Sequence, residues 1–268
     1  MDQGICLQGA VPVRATPLHR AEMVSQLLFG EMFQILEADG EWIRIRMEWD
    51  GYEGWILAVQ ARNLDQDTYL KLVNDDTPVV SEPVQFLKNE TSGWRIPLVA
   101  GSSLPGMTGN RMTIGNEVFS LEGVEPKQAP VFSGTAASRE EIQKSLVTTA
   151  LSFEQAPYCW GGRSILGIDC SGLTQITFKM NGIRIKRDAS QQALEGTIVP
   201  LISEAEPADL LFFDNDEGKI THVGMLLDPA RIIHSSGRVR IDPVDHYGIF
   251  NRETSRYSYK LRMIRRMF

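Results

Sequence analysis

Cys170 stands in the run Asp169-Cys170-Ser171-Gly172, at the predicted mouth of a helix, and His222 and His234 follow on two predicted strands. A thiol placed there has four ordinary uses: a packed core residue, half of a disulfide, a metal ligand or a nucleophile. With Asp169 as N-cap, Cys170 falls in the first helical turn, among unpaired backbone N–H groups and the positive end of the helix dipole. Both favour a thiolate, which is the reactive form of cysteine. A packed cysteine would sit further along the helix, on its apolar stripe. Gly172 is expected to keep the turn small enough for a substrate backbone to approach.

A thiol nucleophile needs a base. The chain has four histidines, so the choice is narrow. His222 in "THVGMLL" and His234 in "RIIHSS" lie an even number of residues apart, on strands joined near Asp228-Pro229. They share a sheet face if the connection holds an odd number of residues, such as three or five. Gly224, on the same face as His222, is expected to leave room for the helix carrying Cys170. One ring can then accept the thiol proton while the other fixes its tautomer. Cys170, His222 and His234 could instead supply three zinc ligands, but no C-x-x-C or H-x-x-x-H spacing supports that. No metal and no cofactor is expected. Cys6, Cys159, His19 and His246 read as structural or surface residues.

These groups need a scaffold. "SREEIQKSLVTTALSF" opens with Ser138 three residues before Glu141, a capping box, and continues with Ile142, Leu146, Thr149 and Phe153 at helical spacing. A second helix runs from Cys170 to about Met180 and stops at Asn181-Gly182, with Leu173, Ile176, Thr177 and Met180 as its buried stripe. The strands "ADLLFFD", "THVGMLL", "RIIHSS" and "SYKLRMIRR" follow, which makes residues 138–268 an α+β domain.

The first half reads as β. "EWIRIRMEWDGYEGWIL" alternates Ile43, Ile45 and Met47 with Arg44 and Arg46, then turns at Asp50-Gly51, a hairpin pattern. With "VPVRATP" and "EMFQILEA" this predicts a small barrel over residues 1–66, without a strong helix. Residues 67–125 read as a second small β domain, and 126–137 as a Pro/Gly/Ser/Ala linker.

Composition sets the outer bounds. A net charge of −7 argues against nucleic-acid binding, and no apolar run approaches a membrane span. Three scattered cysteines do not make a disulfide framework. No signal peptide is read at the start, so a cytoplasmic location is expected if Met1 is the natural start, and a secreted one if the chain is trimmed. Nothing implies an obligate protein partner.

The motifs "PYCWGG", "DCSG", "RDASQQ", "ADLLFFD", "THVGM" and "IIHSSG", in this order over residues 140–268, resemble the NlpC/P60 family of papain-like cell-wall cysteine peptidases. The resemblance implies Cys170 as nucleophile, His222 as base and His234 as the orienting residue. It maps the family's YxWGG motif onto Tyr158 to Gly162, with the Tyr158 hydroxyl helping the oxyanion and Trp160 contacting substrate or packing beneath the site. "AEMVSQLLFGE" and "DGYEGWI" resemble the bacterial SH3 domain of the γ-D-glutamyl-L-diamino acid endopeptidase subgroup (dipeptidyl-peptidase VI-like), which implies two SH3-like barrels before a papain-like domain. That subgroup recycles murein peptides, releasing L-Ala-γ-D-Glu from peptides with a free N-terminal L-alanine. By the resemblance, the first SH3-like domain closes one end of the cleft, Glu22 and Tyr52 bind the substrate ammonium, and Asp169, Ser171 and Ser190 contact the dipeptide. Arg163 and Arg187 are candidate partners for substrate carboxylates. The alternatives are an amidase or acyltransferase of the same fold, and a non-catalytic peptidoglycan-binding protein.

Overall fold

The computed structural model describes residues 2–73, 77–124, 126 and 138–268, in two compact units that meet in sequence at Val131 and Phe132. All but Pro126 of the expected linker lies outside the described residues.

In the first unit, alternation dictates the strands. β1 (Gln3–Ile5), β2 (Ala10–Arg14), β3 (Met23–Leu28), β4 (Met32–Asp39), β5 (Trp42–Met47), β6 (Glu53–Leu57) and β7 (Arg62–Leu64) form one antiparallel sheet in the order β3-β2-β6-β5-β4-β1-β7. The β5–β6 hairpin turns where expected. Gly51 takes φ 74°, which a residue with a Cβ resists, and Asp50 Oδ1 accepts from the Tyr52 N–H at 2.8 Å. Ile43, Ile45 and Met47 are buried with Val11, Val13, Leu27, Phe33 and Ile56 in one core.

The region after residue 66 departs from expectation in one respect. It opens with a helix, α1 (Gln66–Leu72), capped by Asp65 Oδ1 accepting from Thr68 N at 2.8 Å. Then come β8 (Val84–Asn89), β9 (Arg95–Val99), β10 (Arg111–Ile114) and β11 (Glu117–Glu122), a four-stranded antiparallel sheet in the order β10-β11-β8-β9. Besides the first sheet's own core, the two sheets share a second one. Ile5 and Phe29 pack with Leu72, Val80, Leu87, Leu98, Leu104 and Phe119 in a single buried cluster.

The second unit starts with α2 (Arg139–Leu151), where the Ser138–Glu141 capping box is fully formed. β12 (Arg163–Ser164) and β13 (Gly167–Ile168) make a short ribbon that delivers the chain into α3 (Cys170–Lys179). Asp169 caps α3, its carboxylate accepting from the Gly172 N–H at 2.6 Å. Every residue of α3 is buried, so it is a core helix and not one with a single apolar stripe. α4 (Ala189–Gln192) is tied to it: Gln192 accepts from the Thr174 hydroxyl at 2.8 Å and donates to the Ser171 carbonyl at 3.1 Å.

β14 (Thr197–Val199), β15 (Leu210–Asp214), β16 (Ile220–Asp228), β17 (Arg231–Ser236), β18 (Arg238–Pro243), β19 (Gly248–Asn251) and β20 (Arg256–Arg266) build an antiparallel sheet. Its order is β14-β20-β15-β16-β17-β18, with β19 paired to β20. α3 packs on β16 and β17, the two strands that carry the histidines.

Candidate active site

Strand register brings the histidines together. Gly224 pairs with His234 and Leu226 with Ile232, so His222 lies two residues beyond the partner of His234, on the same face. The turn itself, Pro229-Ala230 between paired Asp228 and Arg231, holds two residues and would have put the rings on opposite faces. A bulge at Leu227 supplies the extra residue, leaving five between Leu226 and Ile232. Gly224 serves this contact. A Cβ there would lie 2.9 Å from the His234 Cβ and 2.7 Å from Ile232 Cδ1.

The rings form a directed chain. His222 Nε2 lies 2.9 Å from His234 Nδ1, and His234 Nε2 lies 3.0 Å from Asp242 Oδ2. Asp242 was not among the residues singled out from sequence. It sits on β18, and Arg240 brackets it, with Nε 2.7 Å from Oδ2 and Nη2 donating to Oδ1 at 3.0 Å. Burial alone would raise the Asp242 pKa. The hydrogen bonds with His234 and Arg240 outweigh it and hold the group below the usual carboxylate range.

An ionised carboxylate only accepts, which sets the protons of both rings. His234 Nε2–H donates to Asp242, so the Nδ1 of neutral His234 accepts from His222 Nε2–H. His222 Nδ1 is left as a bare lone pair. Burial, then the neighbouring His234, lowers the His222 pKa well below 6.5. Burial lowers that of His234 too, against the pull of Asp242. Both rings are therefore neutral at physiological pH. The Tyr259 ring stacks flat on His222, with centroids 3.9 Å apart and planes 10° from parallel.

Cys170 meets this chain at β16. It opens α3, the helix that packs on β16, and the nearby backbone of Val223, the residue after His222, and of Ser171 favours its thiolate. Burial opposes the thiolate that the helix start favours. Burial, then the Asp169 charge, pushes the thiol up to about 12 against that backbone and Arg187. A neutral thiol and a neutral imidazole are the resting forms, and such groups, once in contact, can pass a proton during attack, by general-base catalysis.

Tyr158 is half-buried, and burial, followed by its proximity to Cys170 and Asp169, raises its hydroxyl to about 12, so it stays a donor. β18 places it. Pro157 bridges to Arg238, Tyr158 N donates to the Gly237 carbonyl at 3.1 Å, and Val239 exchanges hydrogen bonds with Gln155 and Ala156. Trp160 is 60% exposed, not packed beneath the site.

Asp169 is buried at the helix start. It accepts from the Gly161 and Gly172 N–H groups, from the Ser171 hydroxyl at 3.2 Å and from Arg187 at 3.1 and 2.7 Å. Arg187 is no surface arginine awaiting a carboxylate: its side chain is 1% exposed, and it also donates to Ser171 Oγ at 2.8 Å. Arg163 is likewise buried. Gly172 makes room for protein backbone, not for substrate, since a Cβ there would lie 2.2 Å from the Gly162 carbonyl oxygen. Ser171 is thus bound into a buried cluster, while Ser190 is exposed on α4. Glu22 and Tyr52 belong to the first unit. Glu22 is exposed just before β3, and Tyr52 is half-buried against the β5–β6 core.

A family model described as the NlpC/P60 family matches residues 155–257, and one described as the bacterial dipeptidyl-peptidase SH3 domain matches residues 13–60. The chain is 33% identical over 221 residues to a protein named gamma-D-glutamyl-L-lysine dipeptidyl-peptidase from Bacillus subtilis (strain 168), covering 79% of this chain and 71% of that one. It is 31% identical to dipeptidyl-peptidase 6 of Lysinibacillus sphaericus, over 83% of each. The crystal structure of an NlpC/P60 family protein from Bacillus cereus ATCC 10987 superposes with a TM-score of 0.80 at 21% identity, covering 98% and 99% of the two chains, a likeness of fold.

Proposed function

Because this chain belongs to the NlpC/P60 family of peptidases and carries an SH3-like domain ahead of the papain-like one, we propose that it hydrolyses the bond between γ-D-glutamate and a diamino acid in murein peptides. Cys170 is the nucleophile, His222 the base, and His234 with Asp242 the pair that orients it. The observation that carries this reading is the hydrogen-bonded chain from His222 through His234 to Asp242, on the sheet against which the helix that opens with Cys170 packs.

As the sulfur attacks the γ-carbonyl carbon, its proton moves to His222 Nδ1. The C–N bond then breaks, the imidazolium gives that proton to the leaving amine, and an S–C thioester remains. Water, deprotonated by the same nitrogen, hydrolyses the thioester to a carboxylate and restores the thiol. The Tyr158 hydroxyl and backbone N–H groups at the start of α3 serve the oxyanion.

The finer part of the proposal is release of L-Ala-γ-D-Glu from peptides with a free N-terminal L-alanine, in murein peptide recycling inside the cell. The resemblance of the segments around Glu22 and Tyr52 supports it, since a carboxylate and a phenol oxygen suit an ammonium ion. Mass spectrometry of products from free and N-acetylated L-Ala-γ-D-Glu-L-Lys tests both levels. A dipeptide product from the free peptide alone supports them. No cleavage of either peptide refutes the activity, and equal cleavage refutes the amino-terminal requirement.

A further inference from the structure

The reaction makes a charge that the resting site opposes. His222 holds a proton as an imidazolium between attack of the sulfur and departure of the amine, and again while water attacks the thioester. That residue is 4% exposed. Its ring is bonded to the neutral His234, and the Asp242 carboxylate sits one ring further on. A cation formed in such a place is costly unless something beside it offers compensating negative charge density.

Tyr259 offers it. Its ring lies face to face with that of His222, centroids 3.9 Å apart and planes 10° from parallel. The contact is not a by-product of strand pairing. β15 separates β20 from β16, and strands two apart in a flat sheet lie about 9–10 Å from each other. Tyr259 and His222 therefore lean together over β15, where Phe213, the register partner of His222, tilts against both rings at 5.9 and 6.1 Å. β20 is bulged on both sides of the tyrosine. The register break between Ile249 and Phe250 leaves Ser258 as an extra residue against β19, and the break between Phe212 and Phe213 leaves Arg262 as one against β15. Bulges of this kind re-aim side chains. The far end of the ring is held as well, its hydroxyl 3.0 Å from Ser236 Oγ at the end of β17.

We infer that the π face of Tyr259 stabilises the His222 imidazolium as it forms, by cation–π attraction in a site largely closed to water. Tyr259 acts through His222 and is a positioning residue of the relay. The negative face of the ring attracts a cation far more than a neutral imidazole, so its effect falls on the transition state and not on substrate binding. The hydroxyl tethers the ring, and the face does the stabilising. The inference rests on the peptidase reading above.

The test measures kcat and KM on L-Ala-γ-D-Glu-L-Lys for the full chain, for Tyr259→Phe, and for chains with trifluoro- and pentafluorophenylalanine at position 259, each confirmed as folded by its thermal transition. Fluorination keeps the outline of the ring and removes, then reverses, the negative charge of its face. Tyr259→Phe should keep kcat within about threefold, since the face is retained. Across the fluorinated series log kcat should fall in steps, to about tenfold or more below Tyr259→Phe for the pentafluorinated ring, with KM unchanged. A ring that only filled space would give no such gradation. Equal kcat along the series, or a change confined to KM, would overturn the inference and leave the peptidase reading standing. Failure of the wild type to cleave the peptide would overturn the peptidase reading and the inference with it.

Discussion

His222 Nε2 and His234 Nδ1 face each other across 2.9 Å, and His234 Nε2 faces Asp242 at 3.0 Å. Because the last member of this chain can only accept, one carboxylate on β18 decides which nitrogen of His222 carries a proton two residues away in the relay.

Asp242→Asn tests that directional argument. The amide can turn its NH₂ toward His234 Nε2, which reverses both tautomers and puts a proton on His222 Nδ1. The fold should survive, since the shape is kept. The kcat/KM for the tripeptide should fall by about 10²–10⁴-fold, the range associated with losing a positioned base. A fall of less than tenfold would show that the carboxylate does not set the tautomer.

The thiol is predicted to be sluggish toward alkylation when no substrate is present. Its pKa is raised to about 12, so the thiolate is scarce at neutral pH and grows as pH rises. Mass spectrometry of Cys170 after iodoacetamide pulses should give a rate still climbing beyond about pH 9, past the ordinary cysteine value near 8.5. A rate that levels off below pH 8 would mean a thiolate–imidazolium pair at rest.

Much of this site was legible from the chain alone. Cys170, His222 and His234 stand out because a capped helix start and even spacing on neighbouring strands are visible in sequence. Asp242 was not found. The segment "RVRIDP" was not read as a strand, although Val239 and Ile241 alternate with Arg238, Arg240 and Asp242 after a Ser236-Gly237 turn. That period of two was the missed signal. The bulge at Leu227 could not be read, because parity across a hairpin depends on one residue that leaves no local pattern. Arg187 was read as a candidate partner for a substrate carboxylate because its partner in the fold, Asp169, lies eighteen positions away in the chain.

Arg187→Met should destabilise the second unit. It leaves the Asp169 carboxylate buried beside Ser171 without its guanidinium, a loss of about 3–5 kcal/mol for breaking a buried ion pair. Urea unfolding followed by fluorescence would measure it. An unchanged midpoint would mean that the pair contributes nothing to stability.

Gly224→Ala should lower activity more than stability. The added methyl meets the His234 Cβ at 2.9 Å and Ile232 Cδ1 at 2.7 Å, so it displaces the orienting ring. Activity at the wild-type level would show that the His222–His234 contact tolerates a shift.

The protonation state of His222 itself is the most direct test, read by ¹⁵N NMR of histidine-labelled protein at neutral pH with His222→Gln as the assignment control. The account predicts a neutral ring with its proton on Nε2 and none on Nδ1, persisting as pH falls below 6.5, because burial lowers its pKa. A proton on Nδ1, or an imidazolium at neutral pH, would contradict it.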